Sequence, residues 1–432
     1  MSGWTRDNRL QLLENGEVFF PRVFEAIRHA QAEVVLETFL WFEDDVGRQL
    51  MEALVDAAGR GVRVQVTVDG YGSPGFSSAF LERLTDAGVN VRSFDARPTI
   101  FRIRTNILCR LHRKIVVVDR QLAFVGGINF TEEHIRSFGA QSKQDYAVEV
   151  TGPVVGDIHE YCRFGNDVHA GSWRKRWRYW LRRFPRELKN PQEGAQVLFA
   201  IRDNEEHPTD IETMYRVGIR NAKKSIVIVN AYFFPGWRFI RDLRRAAERG
   251  VDVLLVMQGK PDRPVSVGAA SIIYNDLLSM GIRIVRYTER PLHAKVAVID
   301  DLWSTVGSSN LDPLSLGLNL EANLFVLDRE FNATLRENIE SLVSRSCEEV
   351  SAEGIPRKSL ARRLLLTFGY HATRRMATWW RYVPWHEQRV LPMEAAAAPA
   401  WRRQFLPRSS NPSRSVRTAH DSREAAASRT DE

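Results

Sequence analysis

Residues 111–119 read LHRKIVVVD and residues 292–300 read LHAKVAVID. Each is a His-x-Lys followed by four residues and an Asp, His112, Lys114 and Asp119 in the first and His293, Lys295 and Asp300 in the second. After six intervening residues, each meets a short glycine-bearing run, Gly126-Gly127-x-Asn129 and Gly307-Ser308-x-Asn310. The Asn follows its His by 17 positions in both copies (129 − 112 and 310 − 293). A lone His-x-Lys is commonly two residues sharing one pleat face of a strand. Two copies in matched register mark an internal duplication. The β-branched remainder of each motif reads as a buried strand, and alternation puts imidazole and ammonium on the same side of it.

Upstream of each motif the same order of elements recurs. Val34–Trp41, Gly47–Ala58, Val62–Asp69 and Ala79–Ala87 read as strand, helix, strand, helix, and so do Ser225–Phe233, Trp237–Arg249, Val251–Gln258 and Ala269–Met280. RGVRVQV at Arg60 is answered by RGVDVLLV at Arg249, and AGVNVRSF at Ala87 by MGIRIVRY at Met280. The expected class is α/β with mixed or parallel sheets, built twice.

Composition agrees with a folded chain of two to three domains: 432 residues, 44% hydrophobic and 26% charged. The formal charge of +8 is local, because residues 355–432 hold 15 basic and 6 acidic residues, a net of +9. Cys109, Cys162 and Cys347 are odd in number and far apart, which argues against a disulfide framework or zinc site and for a reducing compartment. Neither a signal peptide nor an uninterrupted apolar span is visible, so a membrane partner would be met at its surface.

Brought together, the two motifs supply two His, two Lys and two Asn, a set suited to a phosphate group. Gly126, Gly127 and Gly307 let backbone approach a ligand, and Ser308, Asn129 and Asn310 can donate to its oxygens. Two lysines already neutralise phosphoryl oxygens, so no metal or other cofactor is expected. One neutral imidazole can attack phosphorus while the other protonates the departing alcohol, giving a phosphohistidine and ping-pong exchange. Each ring needs a partner at its second nitrogen; Glu321 in LNLEANLFV and Asp145 in KQDYAVEV are the candidates. Asp119 and Asp300 are expected to anchor the loops that carry Gly and Asn.

These paired motifs resemble the phospholipase D superfamily over essentially residues 8–350. Within it, LLENGEVFFPRVFEAI at Leu12, LETFLWFEDDVGRQL at Leu36, VDGYGSP at Val68, LHRKIVVVD at Leu111 and KQDYAV at Lys143 resemble bacterial cardiolipin synthases of the B type. The resemblance implies two α/β halves, each a mixed sheet flanked by helices, about a pseudo-twofold axis with one site at the seam. It also implies transfer of a phosphatidyl group from one phosphatidylglycerol to another with release of glycerol, His112 taking the covalent bond and His293 the proton. The basic tail has no counterpart in that pattern.

The expected organisation is a first phospholipase D-like domain over 1–170, a basic amphipathic connector over 171–192 and a second domain over 193–350. A basic amphipathic membrane-surface segment over 351–390 and a disordered tail over 391–432 follow. The connector carries Trp173, Trp177, Trp180, Leu181 and Phe184 on one face; the later segment carries Leu365, Phe368, Ala372, Met376 and Trp379. The first unit also holds 12 extra residues before its His (112 − 88 = 24 against 293 − 281 = 12), an Arg-rich apolar stretch expected to form a lip. The partners expected are anionic phospholipid (phosphatidylglycerol) and the membrane surface, at the cytoplasmic face of the cell membrane. Nucleic acid is not, although a phosphodiesterase acting on phospholipid or nucleic acid is the alternative in the same chemistry. A non-catalytic lipid-binding scaffold is opposed by the two intact His-Lys-Asp sets.

Overall fold

The computed structural model describes residues 3–73, 75–95, 109–164, 194–259, 274–350 and 390–393. The connector over 171–192, the segment from 351 to 389, most of the tail, and residues 97–108 of the insertion lie outside them.

Strands β1 (Thr5–Glu14), β2 (Glu33–Thr38), β3 (Arg63–Asp69), β4 (Asn90–Phe94), β5 (Ile115–Val118), β6 (Leu122–Gly126) and β7 (Tyr146–Thr151) belong to the first half. Strands β8 (Ala195–Arg202), β9 (Ser225–Asn230), β10 (Asp252–Gln258), β11 (Arg283–Tyr287), β12 (Lys295–Ile299), β13 (Trp303–Gly307) and β14 (Glu321–Leu327) belong to the second. Short strands β15 (Cys347–Glu349) and β16 (Val390–Pro392) add to the outer edges, on β11 and β4. The sheet order is β16-β4-β3-β2-β5-β6-β7-β1 followed by β8-β14-β13-β12-β9-β10-β11-β15, so the second half repeats the first in reverse about the β1–β8 joint. In each half three strands run parallel and the others antiparallel, the mixed sheet expected. Because β16 begins at Val390, the tail expected to be unstructured from 391 instead opens with a paired edge strand.

At the joint, Thr5 pairs with Val197 and Asn8 with Ala195 across a register shift. Asp7 takes a positive φ of 61° there, and the buried Asn8 amide donates to the Ala195 carbonyl at 3.2 Å.

Helices α1 (Asn15–Arg28), α2 (Asp45–Gly59) and α3 (Ser78–Asp86) cover the outer face of the first half-sheet, and α5 (Asp210–Asn221) and α6 (Trp237–Glu248) that of the second. Helices α4 (Val154–Phe164) and α8 (Arg329–Ser346) share one core with the inner faces of both half-sheets, where Val117 and Val148 meet the same cluster as Val298 and Leu324. The starts are set by side chains: Asp44 accepts from Gly47 N at 2.8 Å, Ser77 from Phe80 N at 3.2 Å and Asp328 from Phe331 N at 2.7 Å. A short helix α7 (Pro313–Gly317) is capped by Asp312 in the same way. Among the described residues, no helix is long and apolar enough to cross a membrane.

The expected strands Val34–Trp41 and Ser225–Phe233 stop early, at Thr38 and Asn230. Past those points the chain leaves the ladder to build loops: Leu40 N is held by the Asn129 side chain at 3.3 Å and Trp41 N by Ser73 Oγ at 3.2 Å.

Candidate active site at the seam

Each His enters its motif through a backbone bridge to the opposite half. His112 N donates to Leu320 O at 2.9 Å and His293 N to Gln144 O at 2.8 Å, through short parallel bridges Leu111–Leu320 and Gln144–Leu292. A side chain at the end of a parallel strand fixes each approach from its own half. The Asp69 carboxylate accepts from Leu111 N at 2.8 Å, and the Gln258 amide oxygen accepts from Leu292 N at 2.7 Å.

The bridges put each imidazole against a carboxylate of the other half. His112 Nδ1 lies 3.0 Å from Glu321 Oε2 and His293 Nδ1 lies 2.5 Å from Asp145 Oδ2. With Nδ1 protonated and donating, the lone pair at each Nε2 is left for chemistry. Asp145 immediately precedes β7 and Glu321 opens β14, so neighbouring strands hold both carboxylates in place.

Lys114 and Lys295 are buried and reach back to the backbone carbonyls of His112, at 2.7 Å, and His293. Burial pushes the Lys114 ammonium down to about 7, with Glu321 opposing and Lys295 adding to the shift. Burial likewise lowers His112, partly offset by Glu321 and reinforced by Lys114 and Lys295. It carries His293 further down, with Lys295, Lys143, Lys114 and His112 all acting in the same direction. The carboxylates diverge. Burial would raise Glu321, but the charge and hydrogen bond of His112 and the charge of Lys114 hold it below the ordinary range. Burial raises Asp145 in spite of Lys295 and His134.

The remaining expected residues fall into three groups. Asn129 accepts from Leu40 N at 3.3 Å, whereas Asn310 Oδ1 is buried without a partner. Gly127 and Ser308 occupy corresponding places behind the carboxylates. A Cβ on Gly127 would stand 2.4 Å from Asp145 Oδ1, and Ser308 Oγ donates to Glu321 Oε2 at 2.5 Å. The close approach that requires glycine is therefore to a neighbouring strand and not to a ligand: Gly126 faces Ala147 and Gly307 faces Asn323. Asp119 and Asp300 form the third group, and neither binds the Gly-Asn loop expected of it. Asp119 accepts from Gln31, Ala32 and Glu33 N at 2.8, 2.8 and 2.9 Å. Asp300 accepts from Lys223, Lys224 and Ser225 N at 2.9, 2.7 and 3.0 Å. Each sits where its strand turns at the end away from the histidines, at a positive φ of 52° or 47°, and staples the start of β2 or β9.

Two neighbours of the site carry no sequence signal. Phe39 packs against His112 with ring centroids 5.0 Å apart, and Lys114 Nζ lies 5.2 Å from the same ring. His134 is fully buried, accepts from Asn129 N at 3.3 Å and packs edge-on to His293 at 5.5 Å. His134, Asp145 and His293 each bring a ligand-type atom within 4.8 Å of the others. The positive charge of Lys295 and Lys114 around Asp145 opposes a dication there.

The segments that hold this geometry are those of one known family. A family model described as "Cardiolipin synthase, PLD-like domain" matches residues 23–160 and 215–343. The chain belongs to the cardiolipin synthase family with phospholipase D-like domains. It is 46% identical over 397 residues to cardiolipin synthase B of Escherichia coli K12, covering 92% of this chain and 95% of that protein. It is 30% identical to cardiolipin synthase A of Pseudomonas fluorescens Pf-5, over 80% of this chain and 71% of that one. The fold matches a crystal structure of phosphatidylserine synthase from Haemophilus influenzae at a TM-score of 0.63 and 13% identity, over 88% and 96% of the two chains.

Proposed function

We propose that the chain joins two phosphatidylglycerol molecules into cardiolipin and glycerol by way of a phosphohistidine. The observation that carries this reading is the crossed pair of carboxylate-bound imidazoles, His112 with Glu321 and His293 with Asp145, around two buried lysines. In the first displacement His112 Nε2 attacks phosphorus and the P–O bond to glycerol breaks, the departing oxygen taking a proton from His293. In the second, the glycerol hydroxyl of another phosphatidylglycerol gives its proton to His293 and attacks, breaking the P–N bond.

The division of labour rests on charge. Phosphorylation leaves positive charge on the attacking ring, and Glu321, held ionised, lies against His112. The positive groups around His293 destabilise its protonated form, making it the stronger acid toward an alkoxide. In this reading Lys114, Lys295 and the amide NH2 of Asn310 take the phosphoryl oxygens. A lipid substrate makes the membrane surface the working partner.

The test is to incubate the full chain with vesicles of labelled phosphatidylglycerol and resolve the products. Cardiolipin and glycerol in equal amounts are expected, and neither from His112→Ala. Phosphatidic acid as the sole product would replace transfer by hydrolysis, and cleavage of DNA but not lipid would overturn the reading.

A further inference from the structure

We infer that the end of the fold that carries the site docks directly on an anionic lipid surface through a rim of exposed apolar side chains; this rests on the lipid substrate proposed above. Among the described residues the exposed large apolar side chains are Val18, Tyr71, Phe138, Trp237, Leu314 and Leu391. All but Leu391 belong to segments at one end of the half-sheets. Val18 is in the first turn of α1, straight after β1, and Tyr71 lies two residues beyond β3. Phe138 sits between Asn129 and Asp145, and Leu314 between Asn310 and Glu321. Trp237, 62% exposed, opens α6 beyond the loop in which Phe234 N donates to Leu311 O at 2.6 Å. His112 and His293 enter β5 and β12 at this same end, where β2 and β9 finish.

The opposite end is different in kind. Its turns expose Arg60, Arg120, Lys223, Lys224 and Arg249, and none of the large apolar residues. Single exposed apolar residues are ordinary on any surface, but a set gathered at the end that carries the site marks a contact surface. Aromatic side chains favour the boundary between headgroups and acyl chains. Exposed arginines stand among these side chains, together with exposed acids such as Glu17 and Glu289, so the apolar residues and not net charge set this end apart. Arg238 follows Trp237, and Arg136, which also reaches Glu289 at 3.0 Å, stands two residues before Phe138; both are exposed. The Tyr71 ring is fixed from below by Arg110, whose buried guanidinium lies 4.1 Å from the ring centre and 3.7 Å from Asp69. A lipid headgroup would thus meet the imidazoles with its acyl chains still in the bilayer.

The test compares wild type, Trp237→Ser, Arg238→Ser and the triple Phe138→Ser/Trp237→Ser/Leu314→Ser on three substrates or surfaces. These are phosphatidylglycerol vesicles, phosphatidylcholine vesicles, and short-chain phosphatidylglycerol below its micellar concentration. Trp237→Ser is expected to weaken sedimentation with phosphatidylglycerol vesicles about ten-fold, and Arg238→Ser about five-fold on anionic vesicles only. The triple variant is expected to lose vesicle binding and vesicle turnover together while keeping turnover of the monomeric lipid. Wild-type sedimentation by the triple variant would overturn the inference, as would equal loss of turnover on vesicles and monomers. Vesicle binding by a wild type that converts neither substrate would leave the docking face standing and sink the catalytic reading instead.

Discussion

The two halves share strand order, bridge geometry and staples, yet they furnish the site with different chemistry. The first half gives Asp145 to the opposite imidazole with Gly127 behind it, and the second gives Glu321 with the Ser308 hydroxyl behind it. Asp69 in one half is answered by Gln258 in the other, each accepting from the backbone that leads into its His. His134 stands beside His293, and Phe39 beside His112. Duplication thus preserved where groups are placed, while the electrostatics around each ring moved apart: Glu321 is held ionised, whereas the proton affinity of Asp145 is raised. Matched scaffolds with unmatched fields allow two identical side chains to take opposite roles.

The sharpest way to break that comparison is to remove the rings one at a time. His112→Ala and His293→Ala are each expected to lower cardiolipin formation by about 10⁴-fold. An activated aryl phosphodiester, whose leaving group needs no proton, separates them. His293→Ala should still release one equivalent of phenolate in a burst and His112→Ala none; the reverse pattern would exchange the two roles.

The carboxylates come next. Glu321→Gln is expected to cost about 100-fold in kcat and Asp145→Asn about ten-fold. Glu321 raises the affinity of both His112 and Lys114 for protons. Removing its charge should therefore move the acid and the basic limbs of the kcat/KM profile both to lower pH, a shift that a purely structural role would not give.

The staples should behave alike in both halves. Asp119→Ala and Asp300→Ala each leave three backbone donors without their acceptor, so each is expected to cost about 2–3 kcal/mol of stability, read by denaturant unfolding. Burial would raise Asp119, but the backbone donors at Glu33, Gln31 and Ala32 hold it below its ordinary value. Its contribution is therefore present above the ordinary carboxylate pKa and is lost as pH falls through the depressed one.

The smallest effects come from exchanging the residues behind the carboxylates. Gly127→Ser places a Cβ 2.4 Å from Asp145 and should cost about 1–3 kcal/mol. Ser308→Gly removes one hydrogen bond to Glu321 and should lower turnover only a few-fold, about 1 kcal/mol of positioning.

Much of this was legible in the chain because the signals repeat locally. His112 and His293, their lysines, the strands behind them and the Gly-Asn runs stand at fixed spacing, and each carboxylate lies at the start of the strand-like run after its Asn, 16 residues on at Asp145 and 11 at Glu321. What did not show was contact between distant segments. Nothing near Asp145 indicates that it serves the second histidine and not the first, because that pairing is made by bridges between halves. Asp119 is expected to hold the loop that follows it, but the amides it binds lie 86 to 88 positions earlier. His134 is a single His in the polar run TEEH, without the periodicity or duplication that distinguishes a site residue from an ordinary one.

The crossing of the carboxylates also bears on how such a chain can change over generations. Glu321 answers a ring 209 positions away and Asp145 one 148 positions away. A half split off alone would keep a carboxylate whose imidazole had gone elsewhere, and would need a second copy facing it to restore the pair. Among relatives, exchanges at 145 and at 321 should travel with adjustments in the opposite half, making the two copies co-dependent lineages inside one gene.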